Sequence, residues 1–214
     1  MSRKHWFILV GGINGAGKTT LAQSRSFLES LGLSASAPLE IVNPDLVTSR
    51  LREQAPTTPL DDVNLRAARI CEARVRAALK ERASSVVIET VLSTDKYKAI
   101  FRLAKRQGYG LLFIYIVLPS IEEAIARVRH RVREGGHAVP AGKIRKRWPR
   151  SRANVAWFWQ HADRAVLMLN GRRGPSTLPT LMAWKEETGV WYQERNLATS
   201  LLSRTHERAR RPKR

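Results

Sequence analysis

The chain has 214 residues, 43% of them hydrophobic and 26% charged, with 38 Lys and Arg against 18 Asp and Glu. That length and mix fit one sizeable core and are those of a globular protein, so disorder is not the base case. The net charge of +20 attracts polyanions, whether nucleic acid, an acidic membrane face or small phosphorylated substrates.

The first predicted strand covers residues 6–10, a run too short for a signal-peptide core. It leads into Gly12-Ile13-Asn14-Gly15-Ala16-Gly17-Lys18-Thr19, with Thr20 next, and a helix is predicted from inside this loop to about Leu31, stopped by Gly32. A strand, this glycine pattern and a helix together form a phosphate-binding loop. Its backbone N–H groups curl around the phosphates of ATP, and the helix N-terminus adds a positive dipole. Lys18 is expected to reach the β- and γ-phosphates and Thr19 to place its hydroxyl on Mg2+.

A second strand at residues 39–42 ends in Asn43-Pro44-Asp45. In parallel α/β sheets ligands bind at the carboxyl ends of strands, so Asp45 is placed to orient an acceptor hydroxyl and take its proton. Asp is also a favoured N-cap, and the local sequence leaves open whether Asp45 merely caps residues 46–53. A helix from near Asp61 carries Val63, Ala67, Ile70, Val75 and Ala78 on one face and ends before Ser84. Cys71 falls within it; a single cysteine excludes an internal disulfide framework, fits a reducing compartment and is expected as a small buried residue.

The third strand, residues 86–88, closes on Glu89-Thr90, where P-loop enzymes place a carboxylate that holds magnesium through water. A helix follows Thr94 and stops at Gly108. The fourth strand, residues 111–118, is the longest apolar stretch, so no membrane-spanning segment is expected. Ser120 and Glu123 then form a capping box. On that helix Arg127 and Arg131 share one side, Arg129 and Arg133 the other, with Ile121, Ala124, Ile125, Val128 and Val132 between them. One pair at most faces a phosphate. Gly135-Gly136 gives a hinge suited to a mobile lid, and His137 behind it is a candidate substrate contact. Trp157, Phe158 and Trp159 have the spacing of core residues, and residues 165–169 make a fifth strand. Further on, residues 181–185 and 190–193 are expected to pair as a hairpin around 187–189. The tail, residues 204–214, holds six basic residues and is expected to be disordered, a non-specific polyanion handle.

Continuous apolar strands alternating with helices predict an α/β fold with a mostly parallel sheet sandwiched by helices. The motifs, in this order, resemble the zeta-toxin family of P-loop kinases: the loop from Gly12 to Thr19, Asn43-Pro44-Asp45, Ile88-Glu89-Thr90 and Gly108-Tyr109. Ala126-Arg127-Val128 with Arg131-Val132, the run from Gly135 to Pro140, Ile144 with Arg147, and Ala162-Asp163 through Asn170 complete the set. The resemblance implies a kinase-type sheet of order 2-3-1-4-5 and a helical, arginine-rich lid. It implies ATP-dependent phosphorylation of the 3′-hydroxyl of UDP-N-acetylglucosamine by a cytoplasmic toxin held by an antitoxin. By the same resemblance Asp45 is the base, Asn43, Glu89, Thr90 and His137 lie at the substrate, and Arg127, Arg131 and Arg147 serve the γ-phosphate. Asn170 joins the ATP site. The core is then residues 1–171, with residues 172–203 as an extension of the same domain. The charge supports a second reading, a polynucleotide 5′-kinase or other nucleic-acid-binding P-loop protein, and weak non-specific nucleic-acid binding is expected under either.

Overall fold

In the computed structural model, which describes residues 5–33, 38–136, 138–171 and 179–203, every apolar run read from the sequence is a strand. β1 (Trp6–Gly12), β2 (Leu39–Val42), β3 (Ser85–Thr90), β4 (Gly110–Val117) and β5 (Arg164–Leu169) are parallel, in the order β2-β3-β1-β4-β5. β6 (Thr180–Glu186) and β7 (Gly189–Tyr192) continue the same sheet antiparallel beyond β5, as the expected hairpin. Side chains alternate across a strand, so an unbroken apolar run feeds two cores. Phe7, Leu9, Val86, Ile88 and Phe113 pack in one layer, and Ile8, Val10, Val87, Leu112 and Ile114 in the other.

The helices are α1 (Lys18–Gln23), α2 (Arg25–Ser30), α3 (Pro44–Gln54), α4 (Leu60–Glu81), α5 (Lys96–Arg106), α6 (Ile121–Arg133), α7 (Ala141–His161) and α8 (Arg195–Leu202). Four expectations change. The single helix expected from the P-loop to Leu31 is broken at Ser24, which adopts extended backbone and caps α2, its hydroxyl accepting from the Phe27 amide at 3.4 Å. The cap of α3 is Asn43, whose Oδ1 accepts from the amides of Asp45 and Leu46 at 2.9 and 3.3 Å; Pro44 takes the first helical position and Asp45 the second. Of the capping box on α6, the Ser120 hydroxyl does accept from the Glu123 amide at 3.1 Å, but the Glu123 carboxylate turns to Arg127 Nε at 2.9 Å. Val132, expected in the apolar stripe of α6, lies exposed near its end.

Cys71 is buried on α4, as expected. Phe158 and Trp159 are buried on α7, a 21-residue helix that contains Pro149. Lys185 of β6 donates to the carbonyls of Trp159, Gln160 and Ala162 at 2.8, 3.0 and 2.8 Å, which fastens the hairpin to the C-terminus of α7. No helix among the described residues is long and apolar enough to cross a membrane.

Candidate functional site

The P-loop joins β1 to α1 at the carboxyl edge of the sheet. Gly15 and Gly17 have φ of +82° and +89°, and a Cβ on Gly17 would lie 2.9 Å from Asn170 Nδ2, so the turn needs glycine there. Ile13 sits buried under the loop, and its carbonyl accepts from the Ala16 amide at 3.1 Å and from Lys18 Nζ at 3.2 Å. Asn170, just after β5, donates to the Ala16 carbonyl at 2.9 Å and so buttresses the loop from the far side. Thr19 and Thr20 stand exposed in the first turn of α1.

Glu89, at the carboxyl end of β3, is buried with both carboxylate oxygens engaged. Oε2 accepts from the Thr19 hydroxyl and Oε1 from Asn43 Nδ2, each at 2.8 Å. Asn43 therefore works twice: its oxygen caps α3 while its amide fixes Glu89. Desolvation pushes the Glu89 pKa up, against the two hydrogen bonds and the attraction of Lys18. Lys18 is shifted the opposite way: burial lowers its pKa more than Asp45 and Glu89 raise it, and Arg131 and Arg147 add repulsion. Each charge is thus held where its own neutralisation is favoured, a common mark of sites that bind charged ligands.

These groups border a cleft of about 230 Å³. Asn14, Lys18, Asn43, Asp45, Glu89, Thr90 and Arg147 line it, and Arg147 Nη1 donates to Asn14 Oδ1 at 3.2 Å. Asp45 is exposed and points its helix turn into this cleft. The arginine pairs on α6 separate as the helical spacing requires. Arg127 lies against the P-loop, its Cβ 3.2 Å from where a Cβ on Gly15 would stand, and Arg131 is close enough to Lys18 to repel it. Arg129 and Arg133 are exposed. His137 and the basic tail lie outside the described residues.

The sequence reading did not single out Thr48 of α3, Asn64 of α4, or Ser93, Thr94, Lys96 and Tyr97 after β3, all of which line the same cleft. The available signal was position: a Ser-Thr-Asp-Lys run after a strand that ends in a carboxylate lies on the edge of the sheet where ligands bind. Among the described residues no three His, Cys, Asp or Glu cluster as a metal cage. The Thr19 hydroxyl donates a hydrogen bond to Glu89, which leaves its oxygen lone pairs for a cation and fits Mg2+, which draws most of its ligands from phosphate and water.

A P-loop with its lysine, a strand-end carboxylate and a 2-3-1-4-5 sheet define a kinase-like P-loop nucleotide-binding protein. Residues 7–169 match the family described as an AAA domain, and the chain belongs to that family. Among solved structures, the AvrRxo1-ORF1:-ORF2 complex with ATP is similar at 16% identity and a TM-score of 0.69, over 94% of this chain and 64% of that one. The chain thus spans less than two thirds of that relative. The PezAT toxin–antitoxin system of Streptococcus pneumoniae is similar at 19% identity and a TM-score of 0.59, over 96% of this chain and 87% of that one. A putative kinase from Chloroflexus aurantiacus is similar at 17% identity and a TM-score of 0.50, over 63% and 71%. No curated protein matches the sequence.

Proposed function

We propose that the chain is a kinase that transfers the γ-phosphoryl group of ATP to a sugar hydroxyl of a nucleotide sugar such as UDP-N-acetylglucosamine, acting as the toxin of a toxin–antitoxin pair. The observation that carries the transfer step is the placing of Asp45, an exposed carboxylate, in one cleft with Lys18, Glu89 and Arg147. Phosphoryl transfer needs positioning and charge neutralisation more than covalent chemistry, and this cleft holds groups for both. The P-loop amides and Lys18 hold the β- and γ-phosphates. Thr19, hydrogen-bonded to Glu89, would hold Mg2+, whose charge would offset that of the phosphates. Asp45 accepts the proton of the attacking hydroxyl, while Arg147, with Arg127 and Arg131 from α6, balances the charge of the moving phosphoryl group. The similar fold of the PezAT toxin–antitoxin system supports the toxin reading.

The experiment is a transfer screen with γ-labelled ATP over nucleotide sugars, nucleosides and oligonucleotides. Label on a nucleotide-sugar hydroxyl is the expected result. A second reading, a polynucleotide kinase, draws on the +20 charge and on exposed Arg129, Arg133, Lys146 and Arg150. Label at an oligonucleotide 5′-end would establish it instead.

A further inference from the structure

We propose that the cleft wall built by residues 91–96 selects the acceptor, and that Lys96 in it takes a phosphate group which the acceptor carries away from the hydroxyl being phosphorylated. The proposal rests on the reading of this cleft as the acceptor site. It begins from the backbone. Leu92 has φ +60°, a left-handed conformation that is costly for leucine, and its side chain is fully buried. Three hydrogen bonds hold it there. The Leu92 amide donates to Thr90 Oγ1 at 2.9 Å, the Val91 carbonyl accepts from Ser151 Oγ at 2.6 Å, and the Leu92 carbonyl accepts from Asn154 Nδ2 at 3.0 Å. Ser151 is itself buried and bonded to the Tyr115 phenol at 2.8 Å. Two buried polar side chains of α7 are thus spent on fixing the turn that follows Glu89 and Thr90, and strain that the surroundings over-determine in this way is typical of functional loops.

The fixed turn presents Ser93, Thr94 and Lys96 to the cleft, where α3 and α4 add Thr48 and Asn64, themselves joined at 3.4 Å. This wall offers hydroxyls, an amide and one cation. Asp95, beside Lys96 in the chain, is paired with Lys98 at 2.8 Å and leaves α5 without a side-chain cap; the carboxylates that line the cleft, Asp45 and Glu89, come from α3 and β3. The Lys96 ammonium is steadied 4.8 Å from the ring centroid of Tyr97, and the Tyr97 hydroxyl is hydrogen-bonded to Thr90. A lysine at the start of a helix, among hydroxyls on a wall whose lining residues include no acid, recognises a phosphate. A cationic acceptor would meet repulsion there, and a neutral sugar would leave the ammonium unused.

The test is equilibrium binding to the full-length protein loaded with Mg2+ and a non-hydrolysable ATP analogue. The probes are UDP-N-acetylglucosamine, glucose 6-phosphate and neutral N-acetylglucosamine, each with wild type and Lys96→Met. The expected result is binding of at least one phosphorylated probe, weakened about 10-fold to 100-fold by Lys96→Met, the worth of one charge-assisted contact. The neutral sugar should bind wild type and variant equally weakly. Unchanged binding of every phosphorylated probe on Lys96→Met, or no binding of any, would overturn the proposal. Lys96-dependent binding of glucose 6-phosphate without UDP-N-acetylglucosamine would keep it and instead remove the nucleotide-sugar assignment. The wall's fixed shape has its own readout. Ser151→Ala should weaken the phosphorylated probe while nucleotide affinity is kept, and adding Leu92→Gly, which adopts positive φ freely, should restore probe binding although it lowers Tm further. A double variant that is less stable and no better at binding would show Ser151 to be packing alone.

Discussion

Burial of Glu89 between the Thr19 hydroxyl and the Asn43 amide raises its pKa, and that shift has a thermodynamic sign. A carboxyl whose folded pKa exceeds its unfolded value of 4.5 stabilises the fold fully only below that pH, and the stabilisation is lost as pH rises through the folded pKa. Above its folded pKa the ionised Glu89 therefore costs stability, and there Glu89→Gln, which still offers an oxygen to Asn43, should unfold at the same temperature or higher. The gap from wild type should widen as pH rises from 4.5 and level off above the folded pKa, in melts of the free protein across pH. Phosphoryl transfer should nevertheless fall in this variant, because Thr19 loses the carboxylate that accepts its hydroxyl hydrogen. Lys18 mirrors this: its lowered pKa gives stability above 10.5 that is lost as pH falls through the folded value. Lys18→Met should accordingly melt no lower than wild type near pH 7, yet lose the thermal shift that MgATP gives the wild type, along with turnover.

At the scale of elements, α3 separates two roles that the sequence left superposed. Asn43 is the cap, so Asn43→Ala should cost about 1–2 kcal/mol in urea unfolding, as an N-cap loss does. Asp45 sits one residue into the helix, so Asp45→Asn and Asp45→Ala should each lose only a charge–dipole term of about 0.3–1 kcal/mol. The strands and the P-loop were legible because unbroken apolar runs and glycine spacing are local signals. The break at Ser24 was hidden because either side of it reads as helix, and the cap moved to Asn43 because Pro44 favours the first helical turn. Helix α7 escaped notice for two reasons: Pro149 reads as a breaker, and its run of cations from Lys143 to Arg152 obscures the period marked by Ile144, Val155 and Phe158. Its contribution to the site, Arg147 above the P-loop and Ser151 and Asn154 behind the β3 turn, comes from tertiary contact, which no local pattern records. The clasp of Lys185 on the end of α7 likewise joins residues 23 or more apart. Lys185→Met should cost about 1–3 kcal/mol, the worth of hydrogen bonds from a charged donor, with unfolding still a single transition if hairpin and core form one unit.

For the molecule as a whole, the charge and the cleft make separate demands. Within the region from Ala124 to Arg152, four cations have a protein partner: Arg127 with Glu123, Arg145 with Glu122, Lys143 with Asp61 and Arg147 with Asn14. Binding to DNA or RNA should be weak, rest on the basic tail at residues 204–214 and fall steeply with salt, with a log–log slope set by the few phosphates neutralised. Deleting residues 204–214 should abolish it, as read by fluorescence anisotropy across salt. Tight binding at physiological salt without the tail would favour the polynucleotide reading. The central claim is transfer from ATP to a hydroxyl held beside Asp45, and single-turnover transfer of label from γ-labelled ATP to UDP-N-acetylglucosamine, by wild type and Asp45→Asn, tests it most directly. The account predicts label on the sugar, a rate about 10²–10⁴ lower for Asp45→Asn, and equal ATP affinity in the two proteins. Label released only as inorganic phosphate by the wild type, or transfer by Asp45→Asn at the wild-type rate, would contradict it.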